Sequence, residues 1–376
     1  MAKQRGHGEG SIYRRKDGRW VASISLEHRK RKYFYGETRK EVQEKLRVAL
    51  QELKLGLLAT GPQQTVKQYL EQWLEQVHKP TIREGSYVTY HSVLTRHVYP
   101  GIGYIPLQKL TPQQLQSFYA SVTDKGLSTK TVHVIHAVLH KAFDHAIKWG
   151  LIARNVCDSV SLPRKIRHQM QPLTTEQCQK LLQVAQGHKF EGLLTLAVAT
   201  GMRRGELLAL RWQDVDLEQR TLHVRRTVDQ LPHRGYVENE PKTIKGIRQI
   251  VLPEFAITAL QKQREHQYEL QQKAGDKWLD HDLVFSAEYG GYISPKYLWT
   301  KFKALLREAR LLDIRFHDLR HSAATLLLTM GVHPKVVQEL LGHSQISMTL
   351  DIYSHVLPSM QRDAMSKMDS IFKQQF

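Results

Sequence analysis

The sequence predicts a mainly α protein with small β elements, an α+β fold in three domains. A length of 376 residues suffices for two to three domains with buried cores. Apolar residues follow a strand-like period of two near the N-terminus and between residues 221 and 252, and a helical period elsewhere. Two stretches without periodicity, 56–64 and 161–172, indicate linkers, so the predicted domains span residues 1–57, 65–160 and 173–376.

Basic residues exceed acidic residues by a wide margin. The chain has 55 Lys and Arg against 36 Asp and Glu, a formal charge of +19 before any of its 20 histidines titrates. The hydrophobic fraction of 41% is typical of globular domains, so the charge belongs to folded surfaces and not to a disordered tail. A strongly negative partner is expected, and nucleic acid fits best.

Several protein classes are excluded by what the sequence lacks. Two cysteines, Cys157 and Cys178, are too few for a disulfide framework or a four-thiolate zinc site, and they suit a reducing cytoplasm. The apolar stretch near residues 193–202 is too short for a membrane span, and the N-terminus lacks the apolar core of a signal peptide. The sequence contains no phosphate-binding loop, zinc-helix or hydrolase-elbow motif, and nothing in it indicates the use of ATP.

The N-terminal domain is predicted as a three-stranded sheet with one helix packed on it. Alternation over residues 20–26 indicates a strand, residues 16–18 (Lys-Asp-Gly) a turn before it, and residues 32–35 a third strand. Thr38 and Glu41 have capping-box spacing and predict a helix start. The apolar stripe of that helix is predicted to be Val42, Leu46, Ala49 and Leu53.

Basic residues concentrate in this first domain. Residues 1–60 contain 15 Lys and Arg against 7 Asp and Glu, mostly on the predicted strands and turns. We expect one basic sheet face to lie in a groove of DNA, and the alternative is a merely solvated basic surface. The candidate DNA contacts are Arg14, Arg15, Lys16, Arg19, Arg29, Lys30, Arg31 and Lys32.

Residues 65–160 are predicted as a bundle of about four helices. One helix begins after Thr65, and another presents an apolar face that runs from Val132 to Trp149. His136 and His140 have a spacing compatible with a metal, but no carboxylate or third ligand is expected beside them, so their predicted role is structural or phosphate-contacting. Further candidate DNA contacts on this helix and in the basic linker are Lys141, Lys148, Arg164, Lys165 and Arg167.

Polar residues stand at predicted helix ends throughout the third domain. An apolar helix breaks at Gly201 and exposes Arg203 before the next helix begins. His317 and Arg320 are three residues apart, which places them on one helical face. Another helix stops just before His343, and Tyr353 follows ten residues later. The face opposite His317 is predicted to bury Leu319, Ala323, Leu326 and Met330.

These motifs resemble those of the tyrosine recombinase family, which includes the phage integrases. Thr-Gly-x-Arg, His-x-x-Arg, Leu-Gly-His and a terminal Tyr occur in family order and at family-like spacing, and the resemblance covers essentially the whole chain. It implies an arm-type DNA-binding domain, a helical core-binding (SAM-like) domain and a mostly helical catalytic domain with a β-hairpin insertion. The catalytic residues that it implies are Arg203, Lys242, His317, Arg320, His343 and Tyr353.

The family's catalytic lysine lies on a β-hairpin. Residues 241–248 (Pro-Lys-Thr-Ile-Lys-Gly-Ile-Arg) look like the pattern that carries it, which points to Lys242, with Lys245 as the alternative. We expect Arg204 to be a surface or phosphate contact and Glu206 to orient an arginine. Asp318 is expected to cap the helix that follows it. His321 and His355, which also lie near the motifs, are expected to be structural.

The residue types fit phosphoryl transfer without reference to the family. Arg203 and Arg320 can each bind non-bridging phosphate oxygens bidentately. Tyr353 has an ordinary pKa near 10 and is only about 0.1% ionised at pH 7, so it needs a base, for which His317 is the candidate. Lys242 is the candidate acid for the leaving 5′ oxygen. No metal and no nucleotide cofactor are expected, because the arginines supply the positive charge and a phosphotyrosine preserves the energy of the broken bond.

The predicted function is that of an integrase, which cleaves and rejoins DNA strands to integrate or excise a mobile element. The alternatives are a type IB topoisomerase and a catalytically silent DNA-binding regulator. The predicted N-terminal domain favours recombination, and the presence of every motif residue argues against a decayed enzyme. Expected partners are double-stranded DNA at core and arm sites, three further copies of the chain in a tetramer on DNA, and a DNA-bending accessory protein or excision factor. The expected location is the nucleoid of a bacterial cytoplasm.

The segment that follows Pro358 predicts a short helix with an apolar stripe. In the family, a C-terminal segment passes to the neighbouring subunit, and the alternative is that this helix packs on its own domain. The stripe consists of Met360, Ala364, Met368, Ile371 and Phe372.

Overall fold

The computed structural model of the chain describes residues 10–25, 31–54, 63–164, 171–241, 244–346, 350, 365–366 and 368–370. The chain forms two compact units, residues 1–167 and 168–376. Helices dominate both units and small antiparallel sheets complete them, which confirms the predicted fold class. Within the described ranges, no helix is long and apolar enough to cross a membrane.

The first unit begins with a three-stranded antiparallel sheet in the order β1-β2-β3, followed by helix α1. Ala22 and Ile24 of the central strand pack on Val42, Leu46 and Ala49 of the helix. Leu53 is exposed, so its predicted place in the core is wrong. The helix is about 24 Å long and the longest strands reach only about 20 Å, so its last turn extends past the sheet. The elements are β1 (Ser11–Arg14), β2 (Trp20–Ser25), β3 (Arg31–Gly36) and α1 (Arg39–Lys54).

The strand register separates the basic residues of this sheet. Arg14 pairs with Trp20 and Lys32 with Ile24, on the side of the sheet that packs on α1. The open side carries exposed tyrosines. The expectation that one face carries all the basic residues is therefore wrong, because neighbouring residues on a strand point to opposite faces. Arg29 and Lys30 lie outside the described residues. The exposed tyrosines are Tyr13, Tyr33 and Tyr35.

The helical part of the first unit encloses a second core around Tyr69, Trp73 and Leu139. Three of its helices start at hydroxyl caps, as Thr65, Thr111 and Ser128 each accept a hydrogen bond from a backbone N–H of the first turn. The α-helices are α2 (Val66–Gln72), α3 (Glu84–Val93), α4 (Tyr99–Ile102), α5 (Pro112–Asp124) and α6 (Thr129–Lys148). The first two continue as π-helical turns, Trp73–His78 and Leu94–Val98.

Two expectations about α6 need correction. Trp149 lies one residue beyond the helix and is exposed, because the helix ends at Lys148 while the apolar periodicity continues. His140 has carboxylate neighbours after all, since its Nε2 lies 2.9 Å from Asp158 and its Nδ1 lies 3.2 Å from Asp144. These carboxylates come from later in the helix and from the segment after it. In the described ranges, no group of three such side chains could hold a metal ion.

The second unit is built around helix α8, whose residues are buried on almost every side by the helices packed against it. The β-rich insertion predicted for residues 221–252 is confirmed. It forms a sheet in the order β4-β5-β8 and a separate β6-β7 hairpin. The strands are β4 (Val215–Asp216), β5 (Thr221–Val224), β6 (Thr227–Leu231), β7 (Gly235–Asn239) and β8 (Arg248–Val251).

Within residues 171–241 and 244–346, six further helices pack with α8 in this unit. They are α7 (Thr175–Val184), α9 (Arg204–Leu208), α10 (Glu254–Ala274), α11 (Pro295–Glu308), α12 (Asp318–Thr329) and α13 (Pro334–Leu341), while α8 spans Glu191–Thr200. Met330 was expected in the core but is 76% exposed. It follows the last residue of α12, and the chain reverses at Gly331 with φ +83°.

Candidate active site

The break between α8 and α9 places Arg203. Helix α8 ends at Gly201, which has φ +63°, and Arg203 is extended at the start of α9. A Cβ at Gly201 would lie 2.4 Å from Leu341 Cδ2 and 3.3 Å from Ala323 Cβ. Glycine is required here both for the left-handed backbone and for the close approach of α12 and α13.

A buried carboxylate orients Arg203. Glu206 is 2% exposed, and its Oε1 accepts a hydrogen bond from Arg203 Nη1 at 2.7 Å. Its Oε2 accepts from the Arg203 backbone N–H and from Arg248 Nη2, both at 3.0 Å. Burial alone would raise the pKa of Glu206, but Arg248 and Arg203 hold it below its usual value. Glu206 is therefore an ionised residue that orients arginines, as the sequence indicates.

Arg320 is a buried cation with an unused donor. The residue is 3% exposed, and its Nη1 donates to the Gly201 carbonyl at 2.9 Å. Its buried Nη2 has no hydrogen-bond partner among the described residues. Burial first, and the nearby Arg203 second, lower the pKa of Arg320 to about 9. A buried guanidinium with an unsatisfied N–H is poised to receive an anion, because leaving such a group unpaired is costly.

Two histidines lie on the same site. His317 stands at the start of α12, and its exposed side chain lines the cleft in front of Arg203. Desolvation by the cleft walls, followed by the charges on His321 and Arg320, lowers the pKa of His317. His343 follows α13 and is buried; burial and then Arg320 lower its pKa to about 3. Both imidazoles are neutral at pH 7.

The turn before His343 is joined to Arg203. Gly342 ends α13 with φ +67°, and its carbonyl accepts from Arg203 Nη2 at 3.3 Å. The side chain of Gln338 donates to the His343 carbonyl at 3.1 Å and so holds the residue after the turn. The helix end that carries His343 and the helix start that carries Arg203 are thus in direct contact.

A cleft of about 610 Å³ opens over these groups. Arg203, Arg204, His317 and Ser344 line it together with exposed Trp299. Two of the six predicted catalytic residues, Arg203 and His317, therefore line the cleft, and two more, Arg320 and His343, are buried close enough to Arg203 to interact with its charge.

The other two predicted catalytic residues, Lys242 and Tyr353, lie outside the described residues. Lys245, the alternative lysine, is exposed, and its Nζ donates to the Ser344 carbonyl at 3.4 Å. Among the other candidates, Lys141, Lys148 and Arg164 are exposed in the first unit, whereas Lys165 and Arg167 fall outside the description.

Two residues near the motifs differ from expectation. Asp318 does not cap α12 but accepts two side-chain hydrogen bonds and one backbone hydrogen bond from Arg315, because it opens the helix and faces the preceding turn. Arg248 is buried beside Glu206 and was not predicted to contribute to the site. The sequence shows that Arg248 lies in the segment after Lys242. Its hydrogen-bond partners, however, are 42 and 92 positions away in the chain.

The catalytic unit and the helical domain both match known families. Residues 171–360 match the phage integrase family, and residues 65–122 match the phage integrase N-terminal SAM-like domain. The chain belongs to the phage integrase family. A XerC-like tyrosine recombinase from Caldanaerobacter subterraneus subsp. tengcongensis is 31% identical over 360 residues, which cover 91% of this chain and 92% of that protein. The chain is therefore a site-specific recombinase, as the motifs predict.

Further similarity extends to mobile elements. The ICEBs1 integrase of Bacillus subtilis is 29% identical over 282 residues, 74% of this recombinase and 76% of that protein. The solved structure of the Tn1549 transposon integrase in complex with transposon right end DNA covers 81% of this recombinase and 99% of that chain, with a TM-score of 0.70 at 24% identity. The structural likeness shows that the two chains share their fold.

Gly201→Ala should destabilise the recombinase by about 3 kcal/mol. The left-handed backbone contributes about 1–2 kcal/mol of this loss, and the clash with Leu341 contributes at least about 1 kcal/mol. Gly187→Ala is the matched control, since Gly187 has φ +71° with open space around it and should cost only the backbone part. Urea unfolding of the full chain measures both free energies. Equal losses for the two variants would contradict the packing argument.

The buried His343 should make stability depend on pH. Its pKa is about 3 when folded and about 6.5 when unfolded, so the unfolded state binds more protons below pH 6.5. Its contribution to stability is complete above pH 6.5 and is lost as the pH falls toward 3. Between about pH 7 and pH 5.5 the loss is about 1 kcal/mol. Urea unfolding at both pH values should show a smaller decrease for His343→Gln than for the parent; an equal decrease would refute the assignment.

Proposed function

We propose that this recombinase cleaves and rejoins DNA strands through a 3′-phosphotyrosine intermediate on Tyr353, and that it integrates or excises a mobile element. The observation that carries the proposal is the buried Arg320, whose Nη2 has no partner among the described residues, close to Arg203, which lines an open cleft. This pair is suited to a phosphodiester, which has two non-bridging oxygens and one negative charge.

The two arginines act on the charge that develops during strand cleavage. The transition state places more negative charge on the non-bridging oxygens than the ground state does, and fixed guanidiniums in a partly desolvated site stabilise that charge without reorganisation. Both side chains are already held, Arg203 by Glu206 and Gly342 and Arg320 by Gly201. His343 adds a hydrogen bond to the same phosphate.

The proton transfers fall to His317 and a lysine. Neutral His317 accepts the proton of the Tyr353 hydroxyl as its oxygen attacks phosphorus, and the bond from phosphorus to the 5′ oxygen breaks. Lys242 donates a proton to that departing oxygen, with Lys245 as the alternative donor. Rejoining reverses each step with another 5′ hydroxyl. Because the phosphotyrosine keeps the energy of the broken bond, the reaction consumes no nucleotide, and the arginines supply the charge that a metal would bring.

The first unit supplies further DNA binding. Residues 1–57 bind arm sites through the sheet and its basic turn, and residues 65–160 bind the core site through Lys141 and Lys148, followed by the basic linker. This division favours recombination over the relaxation of supercoils by a type IB topoisomerase, which needs no second class of DNA site. A silent regulator would have no use for the prearranged arginines.

Four copies on two duplexes complete the proposed assembly, in the nucleoid of a bacterial cell. Met368 of the predicted apolar stripe is exposed, which fits a terminal helix that docks on a neighbouring subunit. The other stripe residues, Met360, Ala364, Ile371 and Phe372, lie outside the described residues. A DNA-bending accessory protein or an excision factor is the further proposed partner.

Tyr353→Phe should abolish covalent attachment to DNA. The test is a nicked duplex that loses its 5′ hydroxyl fragment after cleavage, so that the phosphotyrosine complex accumulates and survives detergent. Tyr268→Phe, at an exposed tyrosine of the same unit, should form as much complex as the parent. If Tyr353→Phe also forms that complex, the nucleophile is another residue.

Arginines of the cleft and basic residues of the sheet should separate cleavage from binding. Arg203→Ala and Arg320→Ala should each slow cleavage by about 100-fold to 1,000-fold with little change in the affinity for a core site. Neutralising Arg14, Arg15, Arg19 and Lys32 should instead weaken arm-site binding and reduce the log–log salt slope by about 0.9 per lost phosphate contact. Arg47→Gln, whose arginine pairs with Glu44, is the control. Equal losses of binding in both sets would refute this division.

A further inference from the structure

Arg248 lies at the junction of three segments of the catalytic unit. Its side chain is 6% exposed at the start of β8. Each of its three guanidinium nitrogens donates a hydrogen bond to a different segment: Nε to the Leu340 carbonyl at 2.6 Å, Nη1 to the Gly246 carbonyl at 3.1 Å, and Nη2 to Glu206 Oε2 at 3.0 Å. A lysine cannot make these contacts with one ammonium group.

Each acceptor belongs to a segment that carries a proposed catalytic residue. Glu206 orients Arg203 through two hydrogen bonds. Leu340 is in the last turn of α13, three residues before His343. Gly246 ends the short 3-10 turn that follows Lys242 and contains Lys245. One side chain therefore touches all three segments, although it lies behind the cleft and does not line it.

Close packing around Gly342 supports the same junction. A Cβ at Gly342 would lie 2.9 Å from the Lys245 carbonyl oxygen and 3.1 Å from Arg248 Nη1. The turn that carries His343 thus lies directly on the lysine turn and on the Arg248 guanidinium. Both turns depend on Arg248 for a hydrogen-bond donor at this contact.

Arg248 also sets the charge that Arg203 presents. The single carboxylate of Glu206 is shared between two guanidiniums, with Oε1 on Arg203 and Oε2 on Arg248. Without Arg248, more of the negative charge of Glu206 would be compensated by Arg203. Less positive potential would then remain for a phosphate in the cleft.

We propose that Arg248 is a positioning residue of the active site, which holds the Arg203, His343 and lysine segments together and leaves the charge of Arg203 available to the scissile phosphate. The inference rests on the proposed function, since its effect is on strand cleavage. Arg248 acts through Glu206 and the two turns and does not touch the DNA.

The test compares Arg248→Met and Arg248→Lys with the parent in three measurements: the single-turnover rate on the nicked duplex, the affinity for a core site, and the urea midpoint. Arg248→Met should slow cleavage by about 100-fold while affinity changes by less than about threefold, because a small misplacement of reacting groups suffices for such a loss. Arg248→Lys keeps the positive charge but not the three donors, so it should cleave no more than about tenfold faster than Arg248→Met.

Arg226→Met is the matched control. Arg226 is a partly buried arginine of the same unit that pairs with the buried Asp214 at 3.0 Å, an ion pair that involves none of the three segments. Arg226→Met should lower the urea midpoint, while its cleavage rate stays within about threefold of that of the parent. If the two methionine variants lose cleavage in proportion to their loss of stability, Arg248 is only structural and the proposal is overturned.

The double variant Glu206→Gln with Arg248→Met separates charge from packing. Glu206→Gln removes the negative charge that, without Arg248, neutralises more of the positive charge of Arg203. The double variant should therefore cleave at least about tenfold faster than Arg248→Met alone. A double variant that is slower than Arg248→Met would overturn the electrostatic part of the proposal. Should Arg248→Met not fold, Arg248→Lys alone decides: a rate within about threefold of the parent refutes the proposal.

Failure of this inference is distinguishable from failure of the proposed function. If the parent forms no covalent complex, or if Tyr353→Phe forms one, the proposed chemistry is wrong. If the parent forms it, Tyr353→Phe does not, and Arg248→Met reacts as fast as the parent, only the role of Arg248 is wrong.

Discussion

Three guanidiniums are held close together around a single buried carboxylate, and the rest of the catalytic unit is arranged to make this possible. Arg203, Arg320 and Arg248 repel one another, and Glu206 offers a full negative charge among them. The remaining acceptors are backbone carbonyls, chiefly those of Gly201 at the end of α8 and of Leu340 and Gly342 at the end of α13. Carbonyls at helix C-termini carry partial negative charge, so they stabilise the arginines without neutralising them. The site keeps a net positive charge that an anion can use.

The same positive field determines the state of the histidines. His343 is surrounded by Arg320, Arg203 and Arg248, and each of these charges adds to burial in disfavouring the imidazolium. A proton on either active-site histidine would add to a charge that is already poorly compensated. Burial first, and then His321 and Arg320, lower the pKa of His317 and keep it in the neutral form that a base requires, and a bound phosphate would oppose the charge part of this effect by bringing negative charge.

The fold class and the membership of the cleft could be predicted because they rest on local signals. Gly201 and Gly342 mark helix ends, and Arg203 and Ser344, two residues beyond them, line the cleft. Leu53, Trp149 and Met330 were wrongly predicted to be buried, and for one shared reason. The apolar periodicity continues for a residue or a turn beyond the point where the helix ends, or where the surface that it packs on ends. The prediction that one sheet face carries all the basic residues was wrong because consecutive residues of a strand point to opposite faces. The role of Arg248 could not be predicted, since hydrogen bonds to distant carbonyls leave no pattern in the sequence.

The hydrogen bonds that assemble the site join residues far apart in the chain. Arg320 reaches back 119 residues to Gly201, and Arg203 reaches forward 139 residues to Gly342. During synthesis, the N-terminal unit has left the ribosome and can fold before the last of these partners exists, because domains generally fold as units from the N-terminus. Contacts of such long separation also form slowly. A nascent or prematurely terminated chain can therefore hold a folded first unit while it still lacks the partners that assemble the cleft.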